Sequence, residues 1–218
     1  MLFVNVGAGR FPEENFVNLD NSVFLRLVYI YRRLKWIFPK KYHSNFDDFW
    51  VPLTKKYNYI RHNCLKPLPF LNNSVNHILC SHFLEHVYPN EAEKILNGFY
   101  NKLVDGGSLH IIVPDLDSLA KDYLDSNNEN AASEFMSLAM QKPSDKPSFI
   151  YRFLEISGSF GLEHRWMYDI KNLTNLLKRL NFKIVDKLDH LPSSKHYEVY
   201  KNEKGNLQIF AIKNKLIN

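Results

Sequence analysis

Leu2-Phe-Val-Asn-Val-Gly-Ala-Gly9 sets a short apolar run against two closely spaced glycines near the start of a chain of 218 residues. A second short run, Phe16-Val-Asn-Leu, then ends on Asp20. This pattern predicts strand, glycine turn, strand, and a carboxylate at the second strand's end. Such an arrangement suits a nucleotide.

Outward from this opening, Leu25, Val28, Tyr29, Leu34, Trp36 and Ile37 give residues 22–38 an amphipathic helical pattern that Pro39 stops. Tyr57-Asn-Tyr-Ile reads as a third strand. The stretch from Leu65 to Ser74, with two prolines and an Asn-Asn-Ser turn, excludes regular structure. Val75 to Cys80 fits a buried parallel strand. A helix follows at about 91–104, stopped by Gly106-Gly107, and then a strand from Leu109 to Val113. Helices are expected at 116–125, 131–140 and 149–157, with a loop at 141–148. Asp169 caps a helix striped by Leu173, Leu176, Leu177 and Leu180. Phe182–Lys187, His196–Tyr200 and Leu207–Ile212 read as the closing strands.

Alternating helices and near-continuous apolar strands predict an α/β fold with a doubly wound parallel sheet. Ligands of such sheets bind beyond the carboxyl ends of the strands. Those ends are Gly7-Ala-Gly, Asp20, His62-Asn63, Ser81-His82 and Pro114-Asp115.

Composition bounds the class. Apolar residues are 45% and charged residues 23%, ordinary for a soluble globular protein. No run is long and apolar enough to span a bilayer, and no secretory signal pattern opens the chain, so a cytoplasmic location is expected. The two cysteines, Cys64 and Cys80, lack metal-ligand spacing and fit a reducing compartment. The net charge is +5, and much of the excess is local. Residues 26–41 hold Arg26, Arg32, Arg33, Lys35, Lys40 and Lys41 without one acid, a candidate face for anions or a membrane surface.

Together these blocks resemble the class I S-adenosylmethionine-dependent methyltransferases, and more closely the small type 11-like methyltransferase-domain proteins linked to surface-glycan modification. Val4-Asn-Val-Gly-Ala-Gly-Arg and Asn15-Phe-Val-Asn-Leu-Asp20 carry the first part of the likeness. Leu65–His86, Leu103–Asp115, and His164-Arg-Trp-Met-Tyr with the helix after it carry the rest. The resemblance implies a mostly parallel seven-stranded sheet with an antiparallel C-terminal strand, in a single domain over 1–218. It leaves a basic, aromatic insertion at about 21–56 and a helical acceptor-side insertion at about 126–160. It implies S-adenosyl-L-methionine as cofactor, with Gly7 and Gly9 against its methionyl part and Asp20 on both ribose hydroxyls. Ser81 and His82 would also face it. Asn63 stands where the family often has an acid for the adenine amino group, and its amide oxygen can still accept there. The connection from Gly9 to Phe16 is too short for the usual crossover helix.

Methyl transfer to a hydroxyl needs an in-line approach and a base within reach. The candidates are His82, Glu85 and His86 after the fourth strand, and His164 later. On a helix, His82 and His86 would share a face. His82, nearest the strand end, is the expected base, with His164 as a second catalytic histidine. Structural roles are favoured for Glu85 and His86. His164-Arg165-Trp166 offers an acceptor a donor, a cation and a flat apolar surface. Asp115 and Asp117 share a loop edge but lack a third ligand, so no metal is expected.

The expected acceptor is a small-molecule or carbohydrate hydroxyl, an inference from family analogy. A nucleic-acid methyltransferase using the basic 26–41 segment is the enzymatic rival, but Ser81-His-Phe-Leu stands where base N-methyltransferases usually carry an Asn/Asp-Pro-Pro-Tyr type tetrapeptide. A degenerate fold acting as a scaffold is the non-enzymatic one. Pro12, in place of a third glycine, counts against a nicotinamide dinucleotide. Residues 22–41 are expected to cover part of the cleft, with a peripheral contact to lipid as a further role and the simple packing of the apolar stripe on the sheet as the alternative.

Overall fold

The computed structural model describes residues 1–140, 163–188 and 205–214. Seven strands form one sheet in the order β3-β2-β1-β4-β5-β7-β6. They are β1 (Phe3–Val6), β2 (Val17–Asp20), β3 (Tyr59–Arg61), β4 (Val75–Ser81), β5 (Leu103–Pro114), β6 (Phe182–Val185) and β7 (Asn206–Lys213). β1 to β5 run parallel to one another, whereas β7 runs antiparallel to both β5 and β6. The order reverses at β1 and β4, so their carboxyl ends open a crevice.

The helices are α1 (Val23–Leu34), α2 (Val51–Lys56), α3 (Pro89–Lys102), α4 (Leu116–Leu124), α5 (Ala131–Met140) and α6 (Ile170–Arg179). Pro89 opens α3, and Glu91 reaches back to the Tyr88 N–H at 3.0 Å. Asp169 caps α6 by accepting from the Asn172 N–H at 2.6 Å. Ile95, Leu96 and Phe99 of α3, with Leu173, Leu176 and Leu177 of α6, cover one sheet face over Val4, Val6, Ile78, Cys80, Leu109 and Ile111. The leucine stripe of α6 thus lies where its period places it.

Several expectations shift. Residues 82–86 do not form a helix. His82 has a left-handed backbone at φ 49°, and only Leu84–His86 makes a single 3₁₀ turn. Gly106-Gly107 does not stop α3. The chain already turns extended at Leu103, and the glycines fall inside β5 beside an irregularity in its pairing with β4. The expected loop at 141–148, the helix at 149–157 and the strand His196–Tyr200 lie outside the described residues.

The insertion at 21–56 builds a small aromatic core of its own. Leu25, Val28 and Tyr31 of α1 pack on Phe46 and Trp50, with Tyr59 of β3 at the margin. Tyr31 stacks on Phe46 at 4.5 Å, and Phe24 on Trp50 at 5.5 Å. Phe46 and Trp50 lie on a π-helical turn, Asn45–Trp50, that runs straight into α2. The buried stripe of α1 is therefore Leu25, Val28 and Tyr31, whereas Tyr29 and Trp36 are exposed.

Candidate active site

The glycine turn bends back on β2. Gly7 and Gly9 have φ of +70° and +48°, a region that disfavours side chains. A Cβ on Gly7 would lie 2.8 Å from Cδ2 of Phe83, whereas one on Gly9 would meet only the Gly7 carbonyl at 3.8 Å. The first glycine is required by packing inside the protein. At the second, a Cβ would have room.

Asp20 sits against this turn. Its Oδ2 accepts the Gly9 N–H at 2.9 Å and its Oδ1 the Ser22 N–H at 2.6 Å. Burial raises its carboxyl above the ordinary value, and the two backbone donors offset this only in part. A carboxylate has about four lone-pair sites, so two are left for hydroxyl donors. The Tyr59 hydroxyl donates to the Gly9 carbonyl at 3.0 Å, fixing the turn from the third strand. Burial, with Asp20 nearby, raises that phenol as well.

The short connection after Gly9 is held without a helix by two buried asparagines on adjacent strands. Asn5 and Asn18 are paired in register, and the Asn5 amide donates to Asn18 Oδ1 at 3.0 Å and to the Phe11 carbonyl at 3.1 Å. Asn18 accepts from the Glu13 N–H at 2.8 Å and donates to the Glu13 carbonyl at 3.1 Å. Sequence reasoning missed this clamp. An asparagine at the same place in two apolar strands was the available signal.

At the end of β4, Ser81 is buried and its hydroxyl has no hydrogen-bond partner among the described residues. His82 Nδ1 lies 3.2 Å from Oε1 of Glu85, which is fully buried. The Nε2 atom of His82 is buried, although 32% of its side chain is exposed. Glu85 and His86 are tied to the later segment. The Glu85 carbonyl accepts from the Arg165 and Trp166 N–H groups at 2.7 and 3.1 Å, and the His86 and His164 rings lie 5.1 Å apart. Burial lowers His164 below the ordinary imidazole value, while Glu85 pulls it upward. Trp166 is exposed, and the Arg165 guanidinium lies over the Tyr88 ring at 4.8 Å.

Other expected residues have local partners. Asn63 Oδ1 accepts from the Leu65 N–H at 3.1 Å, so the oxygen expected at the adenine already caps its own turn. Asp115 caps α4 through the Asp117 N–H at 3.1 Å, and Asp117 pairs with Lys121 at 2.7 Å. His77, on the central strand, is pushed down to about 3 by burial, which takes it out of proton transfer near neutral pH.

No family model matches the chain, and no curated protein does. Solved structures do. A SAM-dependent methyltransferase from Archaeoglobus fulgidus is similar at a TM-score of 0.51 and 15% identity, over 97% of this chain and 85% of that one. One from Methanosarcina mazei gives 0.53 and 16%, over 97% and 92%. An O-methyltransferase family protein from Burkholderia thailandensis gives 0.51 and 9%, over 99% of this chain and 51% of that one. The fold is that of the class I SAM-dependent methyltransferases.

Proposed function

We propose that the chain transfers a methyl group from S-adenosyl-L-methionine to a small-molecule or carbohydrate hydroxyl. The observation that carries this reading is the Asp20 carboxylate. It is half-buried at the end of β2, tied to Gly9 and Ser22, and has acceptor capacity left for a ribose. The absence of a helix between Gly9 and Phe16 also speaks for a nucleoside rather than a pyrophosphate, which needs a helix N-terminus. S-adenosylmethionine supplies a methyl already activated on a sulfonium. The chain has to position the acceptor, take up its proton and keep water out.

The proton acceptor in this reading is His82. Glu85 Oε1 beside Nδ1 holds the proton on that nitrogen, which makes Nε2 the basic one. His164, in the segment clamped to Glu85, orients the acceptor side. His82→Ala is expected to lower the transfer rate by about 100-fold or more while leaving cofactor affinity nearly unchanged. Single-turnover rates set beside calorimetric binding read the two effects separately. A wild-type rate would remove His82 from proton transfer.

The surface of the insertion favours a lipid-bearing acceptor. Trp36 is 81% exposed and Ile37 50%, next to Arg33, Lys40 and Lys41. Exposed rings flanked by cations suit the headgroup region of an anionic bilayer. No helix among the described residues is long and apolar enough to cross a membrane, and the contact in this reading is a peripheral one. Co-sedimentation with anionic vesicles is expected, weakening with salt and falling about tenfold or more in Trp36→Ala/Ile37→Ala. No binding at low salt would leave the insertion a purely structural role.

A further inference from the structure

We propose that Glu85, His86 and His164 bind a first-row divalent cation at the edge of the cleft. One ligating atom from each lies within 4.8 Å of the other two. Ligands about 2.1 Å from a common cation stand about 3.0–3.4 Å apart, so side-chain shifts on the order of 1 Å close the site. Glu85 is fully buried, and its Oε2 has no hydrogen-bond partner among the described residues. A bare buried carboxylate oxygen is unfavourable, and a cation would satisfy it.

Both imidazoles are also set for ligation. His86 Nδ1 lies 3.0 Å from the Glu163 carbonyl, and His164 Nδ1 lies 3.0 Å from the Ala139 carbonyl. A carbonyl only accepts, so each Nδ1 carries the proton and each Nε2 keeps the lone pair. Backbone carbonyls fix metal-binding histidines in this way. The scaffold is rigid as well. The Glu85 carbonyl takes two N–H groups from residues 165 and 166, and the His164 N–H donates to the Met140 carbonyl at 2.9 Å.

Two imidazoles and one carboxylate select zinc, manganese, iron(II) or cobalt over magnesium or calcium. Three protein ligands leave coordination positions for an oxygen of the acceptor, a hydroxyl or a carboxylate. This last step rests on the methyl-transfer reading. The cation site does not.

Chelator-treated protein titrated with Co²⁺ is expected to bind one equivalent with visible d–d bands, which Zn²⁺ abolishes on displacing it. Glu85→Gln and His164→Asn should each lower Zn²⁺ affinity by about 100-fold or more, and His43→Ala, in the insertion, should not change it. Circular dichroism checks the fold of each variant. If either fails to fold, His86→Gln, at a half-buried ring, replaces it. No metal binding by the wild-type protein up to millimolar concentration overturns the site, and so does binding that survives the ligand substitutions in folded protein. S-adenosylhomocysteine titrations on the same samples separate the two readings, since metal binding without nucleoside binding would leave the cation site and remove the methyltransferase.

Discussion

Asp20→Ala is expected to weaken S-adenosylhomocysteine binding by about 2–4 kcal/mol, a drop of about 30- to 700-fold, because two charge-assisted hydrogen bonds to the ribose disappear. The same carboxyl gives the binding a pH dependence with a definite sign. Its pKa in the folded protein stands above the ordinary 3.8 because burial penalises the charge. Hydroxyl donors prefer the ionised form, so affinity should fall as pH drops through that raised value. Stability should move the other way. A carboxyl whose folded pKa is raised binds its proton more tightly when folded, so its unfavourable contribution at neutral pH is relieved on acidification. Isothermal titration from about pH 7 down to about pH 4 tests the affinity, with Asp20→Asn expected to flatten its profile, and urea denaturation over the same range tests the stability. Unchanged affinity in Asp20→Ala would remove Asp20 from the site.

The glycine turn separates folding from binding. Gly7→Ala is expected to destabilise the protein by about 2–5 kcal/mol, the sum of a left-handed residue with a Cβ and an overpacked contact. The clash is specific, since Phe83 surrounds the new carbon with atoms at 2.8, 3.0 and 3.1 Å. Gly9→Ala should destabilise by only about 1–2 kcal/mol, the backbone part alone, because its Cβ enters open space. Its larger effect should appear in cofactor affinity, where that methyl takes up ligand volume. Urea denaturation and calorimetry of both variants give the contrast. Equal stability losses with no change in binding would make the turn purely structural.

The order of strands and helices was legible because buried parallel strands are short apolar runs and the helices carry a 3.6-residue stripe. Leu173, Leu176 and Leu177 are the clear example, and Asp169 caps that helix as its place before the stripe implied. The region after β4 was not legible as it stands. Spacing alone could put His82 and His86 on one helical face, but the chain takes a left-handed residue and one 3₁₀ turn before Pro89. Periodicity also failed to identify the partner of α1. It marks a face as apolar without saying what covers it, and here the cover is Phe46 and Trp50, with Tyr59 of the sheet only at the margin.

The candidate site was read in part. The Gly7, Gly9 and Asp20 group was visible because each residue type meets a distinct demand of the turn and the strand end. Asn63 follows β3 as its position implied, and its amide oxygen, which accepts from the Leu65 N–H, keeps a second lone pair. The convergence of Glu85, His86 and His164 depends on long-range contacts that no local pattern encodes. Tyr59 and the Asn5–Asn18 pair were missed for the same reason.

If this sheet holds S-adenosylmethionine, its demethylated product binds the same site. Calorimetric titration of the full chain with S-adenosylhomocysteine, and separately with NAD⁺, tests it most directly. One site for S-adenosylhomocysteine is expected, weakened strongly by Asp20→Ala, with no appreciable heat from NAD⁺. No binding of S-adenosylhomocysteine by folded protein, or comparable binding of NAD⁺, would contradict it.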